Sequence, residues 1–305
     1  MSQPQKGVCA EPSLHALYLL FNVIDEDAAR IRKKLAQLLN IFEYYDEEHY
    51  EAMVSGMVAI GSNYWLELYP GLIPVELAPF PDLHSEDRRA PAEPCDLFIQ
   101  IRADRADICH LMGMEVCELL REQTELVEQV KGFRYLEGRD LTGFVTDADN
   151  PKGMKKLDVA IVGDDDADFS GGSYVHVQRY RHDLLRWQQL DLARQEMIMG
   201  RTKDDNKRLS DTLMAAFSHA AHTGNAAKAS NMLFHSMPYG DMQTQGLMVV
   251  CCCSSARPFV ARLESMIFGD QDGNYDRWLD YTSAETGAAF FAPSIQFLKR
   301  HASDL

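Results

Sequence analysis

Seven cysteines and ten histidines are the side chains of this 305-residue chain from which a metal or redox site could be built. Cys9, Cys95, Cys109 and Cys117 are scattered, and Cys251-Cys252-Cys253 is a run. None forms a Cys-x-x-Cys pair, which tells against a zinc site and a disulfide framework and fits a reducing cytoplasm. The cysteine run lies in an apolar stretch and reads as buried strand residues behaving as small hydrophobes. His219 and His222 stand in a long polar segment, where residue type alone makes them solvated side chains before ligands. Asp276, in Asp272-Gly273-Asn274-Tyr275-Asp276, reads by itself as a helix N-cap.

The elements that position these residues follow from periodicity. Leu14–Ile24 is an apolar strand, Glu26–Tyr45 a helix with Ile31, Leu35, Leu38, Leu39 and Phe42 at helical spacing, and Met53–Ile60 a second strand. Pro70–Pro94 is a surface loop. Asp96–Arg102 alternates as a half-buried strand, with Leu97, Ile99 and Ile101 on one face and Asp96, Gln100 and Arg102 on the other. Asp104–Glu125 is helical. The second half repeats the order: a strand over Gly172–Tyr180, a helix over His182–Met199 anchored by Leu184, Leu185, Leu190 and Leu192, and a polar segment Arg201–Asn231. A strand over Leu247–Cys253, a helix over Arg257–Phe268 and a short strand over Ala288–Ala292 complete it. Two β-rich halves with helices over one sheet face make an α+β protein, each half ferredoxin-like, with residues 1–150 and 151–305 as the expected domains.

The formal net charge of −16 leaves no basic face for nucleic acid. The longest apolar runs, Leu14–Phe21 and Gly246–Cys253, are far shorter than the roughly 20 residues of a membrane helix. Met1–Lys6 has no charged region leading into an apolar one, so no secretion signal is expected.

Five stretches taken in order carry a resemblance. They are Gly132–Tyr135 with Arg139–Val145 and Asn150-Pro151; Gly171–Tyr180 with His182 and Trp187; Ile198–Lys203; Ser236-Met237-Pro238-Tyr239-Gly240; and Thr286-Gly287 through Phe290–Pro293. Together they resemble the dye-decolourising peroxidase family, in its shorter bacterial branch. The resemblance implies two ferredoxin-like domains of the dimeric α/β-barrel type. It also implies haem b (iron protoporphyrin IX) held mainly by the C-terminal domain, and homo-oligomers. Peroxide or a small organic substrate would be the partner.

Carried onto this sequence, the resemblance makes His219 the iron ligand, with His222 a competitor, and Asp276 the acid behind it. Gly143, Phe144 and Val145 would approach the cofactor. The interval in which the family reads Asp-Gly-Thr-Glu-Asn-Pro is here Thr146-Asp147-Ala148-Asp149-Asn150-Pro151, so Thr146 takes the place of the catalytic aspartate. Phe234 takes the place of the distal arginine, with His235 beside it. A threonine does not exchange protons near neutral pH, and a phenylalanine offers neither charge nor donor. Asp147 could stand in if the loop shifted by one residue. The expectation is a haem oxidoreductase with weak or reassigned peroxide activity. The alternatives are a haem enzyme acting on a substrate heteroatom, as a dehydratase does, and a non-enzymatic haem carrier or sensor.

Overall fold

A computed structural model describes residues 2–224 and 231–302. Among the described residues there are eleven strands: β1 (His15–Val23), β2 (Ser55–Gly61), β3 (Leu83–Ser85), β4 (Arg88–Ala90), β5 (Leu97–Ala103), β6 (Thr124–Phe133), β7 (Ser173–His182), β8 (Leu233–Phe234), β9 (Met237–Gly240), β10 (Gln245–Cys253) and β11 (Thr282–Ala292). The main sheet runs β7-β11-β2-β5-β1-β6-β9-β10, and β10 pairs again with β7, so eight strands close into a ring. Every pairing round it is antiparallel. β8 is a two-residue appendage on β10, and β3 with β4 is a separate hairpin in the Pro70–Pro94 loop.

The period of two sorts side chains between the ring's interior and its outer faces. One cluster draws on all eight ring strands, including Tyr18, Met57, Phe98, Val130, Val175, Tyr239, Cys252 and Phe290, and fills the interior. On the outside of β1, β2 and β5, helices Ala28–Glu48 and Ala106–Leu120 bury Leu17, Leu19, Val58, Leu97 and Ile99. Helix Arg257–Phe268 lies on the other outer face against Cys251 and Cys253. The cysteine run is therefore buried strand, alternating between the two sides.

The α+β class stands, and the structure alters the reading in five places. The short strand expected over Ala288–Ala292 is the end of the longer β11, Thr282–Ala292, which pairs along β7. β5 is buried on both faces, with Gln100 at 0% and Arg102 at 3% exposure, because its polar side faces the ring's interior rather than water. β6 and β9 complete the ring where no strand was expected; β6 is rich in glutamate and mostly solvent-facing. The His182–Met199 helix is two, Leu184–Gln188 and Leu192–Met199, because the Asp191 side chain accepts from the Arg194 N–H and starts a second helix. Leu185 and Leu192 are exposed, at 78% and 50%, and Trp187 and Ile198 anchor these helices instead.

Candidate functional site

A cavity of about 1090 Å³, counted out to its mouth, opens between the outer face of β7 and β10, helix Arg257–Phe268, helix His219–Thr223 and the loop of residues 140–150.

On one wall stands His219. The Ser218 hydroxyl accepts from the Ala221 N–H, starting the short helix that holds it. His219 Nδ1 lies 2.6 Å from Asp276 Oδ2, and its ring leans on Trp278 at 5.0 Å. A carboxylate only accepts, so Nδ1 carries the hydrogen, and in the neutral ring Nε2 keeps its lone pair. Nε2 has no partner among the described residues, and His219 lines the cavity. Asp276 is fully buried, and its other oxygen, Oδ1, accepts the Trp278 N–H at 3.0 Å. The residue is thus an N-cap and a histidine partner at once, one oxygen for each. His222 is engaged elsewhere: its Nδ1 meets Ser265 Oγ at 3.0 Å, and it is not on the cavity wall. Burial pushes its pKa below the usual value.

The loop on the other side is tied down by a polar core. The buried Asp140 carboxylate accepts from Thr142 Oγ1 at 2.7 Å and from His182 Nε2 at 3.0 Å. Burial alone would raise its pKa, but His182 and Thr142 outweigh it and hold the group below the ordinary range. Arg139 donates to the carbonyls of Gly143 and Lys203. Gly143 has φ +90, and a Cβ there would meet Lys203 at 2.4 Å, so this turn requires glycine. Phe144 follows, buried edge-on against Trp187, and Val145 joins it on the wall.

Thr146 lines the cavity, but its hydroxyl donates to the Gly138 carbonyl at 2.9 Å. Asp147 takes a left-handed φ of 52 and also lines the cavity, with Oδ2 accepting from the Ser236 N–H at 2.8 Å. Burial raises its carboxyl pKa, while Ser236 and the charges of Arg262 and Arg102 pull the other way. Asn150 clamps β8: its Nδ2 donates to the Phe234 carbonyl at 2.7 Å, and its Oδ1 accepts from the Phe234 N–H at 2.9 Å.

Phe234 presents its ring to the cavity, and the Arg262 guanidinium lies over it at 4.6 Å. His235 points away: Nε2 donates to the Val8 carbonyl at 2.8 Å, and Nδ1 accepts from Arg102 Nη1 at 2.7 Å. Burial and Arg102 drive its pKa down to about 3, so the ring is neutral. The structure therefore gathers His219, Phe144, Val145, Thr146, Asp147 and Phe234 round one space, with Asp276 behind, and leaves His222 and His235 off its walls.

Sequence reasoning passed over Arg262. The signal was available: it shares a helical face with Phe259, Leu263 and Met266, all of which line the cavity. A charge among apolar residues at spacings of three and four is worth questioning.

Two family models match the chain, "Dyp-type peroxidase, N-terminal" over residues 5–134 and "Dyp-type peroxidase, C-terminal" over residues 137–297. The chain belongs to the Dyp-type peroxidase family. It is 34% identical over 301 residues to the dye-decolorizing peroxidase of Mycolicibacterium paratuberculosis, covering 97% of this chain and 85% of the relative. The crystal structure of a dye-decolorizing peroxidase from Bacteroides thetaiotaomicron superposes with a TM-score of 0.94 at 29% identity, over 99% of both chains. A variant of DypB from Rhodococcus jostii, solved in complex with heme, superposes with a TM-score of 0.91 at 31% identity, over 98% of this chain and 99% of that one. The Dyp-type family accounts for the ferredoxin-like fold and for the order of the motifs. No helix among the described residues is long and apolar enough to cross a membrane.

Proposed function

We propose that this chain is a haem-b oxidoreductase in which His219 ligates the iron and peroxide chemistry runs on a reassigned set of distal residues. The observation that carries the reading is His219 itself, with Nδ1 fixed by a fully buried carboxylate at 2.6 Å and Nε2 free on the wall of a large cavity. Among the described residues no three His, Cys, Asp or Glu side chains cluster to hold a bare metal ion. A single oriented imidazole suits an iron that arrives with four ring nitrogens of its own. Bound haem would supply the two-electron chemistry that splits a peroxide bond and oxidises a small organic substrate.

What this chain contributes is orientation, basicity and exclusion of water. Asp276 fixes the His219 tautomer and makes its free nitrogen a stronger donor to iron. Phe144, Phe234, Leu263 and Met266 give the cavity an apolar lining. On the distal side, Thr146 has spent its hydroxyl on a backbone carbonyl and Phe234 carries no charge. The proton carrier and charge stabiliser that the resemblance implies at these two positions are therefore absent from them. Losing one preorganised donor commonly costs about 100- to 1000-fold in rate.

The test is stopped-flow mixing of haem-loaded protein with hydrogen peroxide, followed by the change in the haem spectrum. The wild-type protein should react at least about ten-fold more slowly than the double variant Thr146→Asp, Phe234→Arg. Each single variant should fall between them, because both groups serve one step. Adding Asp147→Gly should help the restored carboxylate, since the left-handed turn suits glycine. A wild-type rate equal to the double variant's would overturn the reading of the distal side.

A further inference from the structure

The charged side chains that line the cavity are almost all committed. Asp140 holds His182, Asp147 holds the Ser236 amide, and Arg201 holds Asp149 through two contacts of 2.6 Å. Behind the wall, Asp276 holds His219. Arg262 is the exception. Among the described residues its guanidinium makes no hydrogen bond and no ion pair, and it stacks on the face of Phe234.

A guanidinium stays protonated under all ordinary conditions. Removing it from water without an anion is unfavourable, and a ring face offsets only part of that cost. The carboxylates whose fields reach it, Asp147 and Asp276, are engaged with other donors. Its position on the Phe259–Leu263–Met266 face directs it into the cavity rather than to solvent, and it is half-buried there. A cation so placed has unfilled donors facing a space that also receives the free nitrogen of His219.

We infer that Arg262 is the anion-recognising residue of this cavity, supplying from helix Arg257–Phe268 the positive charge that Phe234 does not supply from β8. The inference rests on the haem reading and adds to it the class of ligand, a small monoanion such as fluoride, which the guanidinium would hold in the cavity when haem is bound. The phenylalanine ring keeps its own part, as the surface against which the guanidinium is stacked and held. The cationic function has thus moved to another element without leaving the cavity.

Three haem-loaded proteins test this: wild type, Arg262→Met and Arg262→Lys. Fluoride is titrated against the oxidised form, and carbon monoxide, which needs no cation, against the reduced form. Fluoride affinity should fall at least about ten-fold in Arg262→Met and recover in part in Arg262→Lys, with carbon monoxide affinity held within about two-fold throughout. Equal losses for both ligands would mean that the arginine only shapes the cavity, and would overturn the inference. So would an unchanged fluoride affinity. A variant that melts normally but no longer retains haem would also overturn it, because Arg262 would then be holding the cofactor's own carboxylates. A wild-type protein that gives no Soret band with added haem would fail the haem reading itself, and this inference with it. A normal band with unaltered fluoride binding would fail Arg262 alone.

Discussion

The two outer faces of one ring of strands are covered in opposite ways. Over β1, β2 and β5, helices Ala28–Glu48 and Ala106–Leu120 are seated on the sheet over one continuous buried cluster, and Gly113 lets its helix come so close that a Cβ would strike Leu17 at 2.4 Å. Over β7 and β10, helix Arg257–Phe268 presents Arg262 where a closed face would want an aliphatic side chain, and the space stays open. The N-terminal face spends its apolar surface on stability, and the C-terminal face keeps part of it for a ligand. A few polar residues, not a different framework, separate a core from a site.

The largest expected effect separates the faces outright. His219→Ala should abolish haem binding while leaving the fold intact, whereas His222→Ala should keep a normal spectrum. Absorption titration with haem checks both, and the reverse pattern would move the ligand to His222. Next in size is the converse change on the closed face. Leu38→Ala removes a side chain with 0% exposure and should cost about 2–5 kcal/mol in urea unfolding, with the haem spectrum unaltered. A spectrum that changed with Leu38 would show that the two faces are coupled.

The smallest effect probes the charge on the open face. Burial raises the Asp147 carboxyl pKa, so the folded protein favours its neutral acid. Its favourable contribution is complete below the unfolded value near pH 3.9 and is lost as pH rises through the raised folded value. Asp147→Asn imitates the neutral acid and can still accept from Ser236. It should leave stability unchanged near pH 4 and raise it at pH 7 by less than about 1 kcal/mol, read from urea melts at the two pH values. Destabilisation at pH 7 would mean that the ionised form is the one the fold prefers.

The strands that bury apolar residues were legible from alternation or from continuous apolar runs, as β1, β10 and the Ala288–Ala292 end of β11 show. β6 was not, because Leu126 and Val127 face water along with Glu125, Gln129 and Lys131, so no period of two stands out, and the pairing with β1 and β9 is made by backbone groups that leave no mark on composition. Gln100 and Arg102 looked solvent-facing because polar side chains turned into the ring beside its apolar cluster give the same pattern as a wet face. The helix break at Asp191 was visible as a capping residue and was outweighed by apolar spacing that Leu185 and Leu192 do not use. In the site, His219 and Asp276 are 57 positions apart, and what joined them before the geometry did was the resemblance. Asp276 as cap and as partner looked like alternatives because one residue letter hides two oxygens. Arg262 escaped because motif matching asks what stands at a known position, and its role shows only in what lies across from it.

The clamp that Asn150 places on Phe234 has a consequence for how this chain behaves among copies of itself. A strand edge with unpaired amides is a template for another chain, and the appended β8 sets such an edge beside the site. There the Asn150 side chain supplies both halves of a peptide's pairing, one donor and one acceptor, to the same residue. It behaves as a strand one residue long, tethered through its own backbone and unable to be extended. A neighbouring molecule approaching β8 finds the Phe234 backbone already paired, so this residue has no free peptide group to offer it.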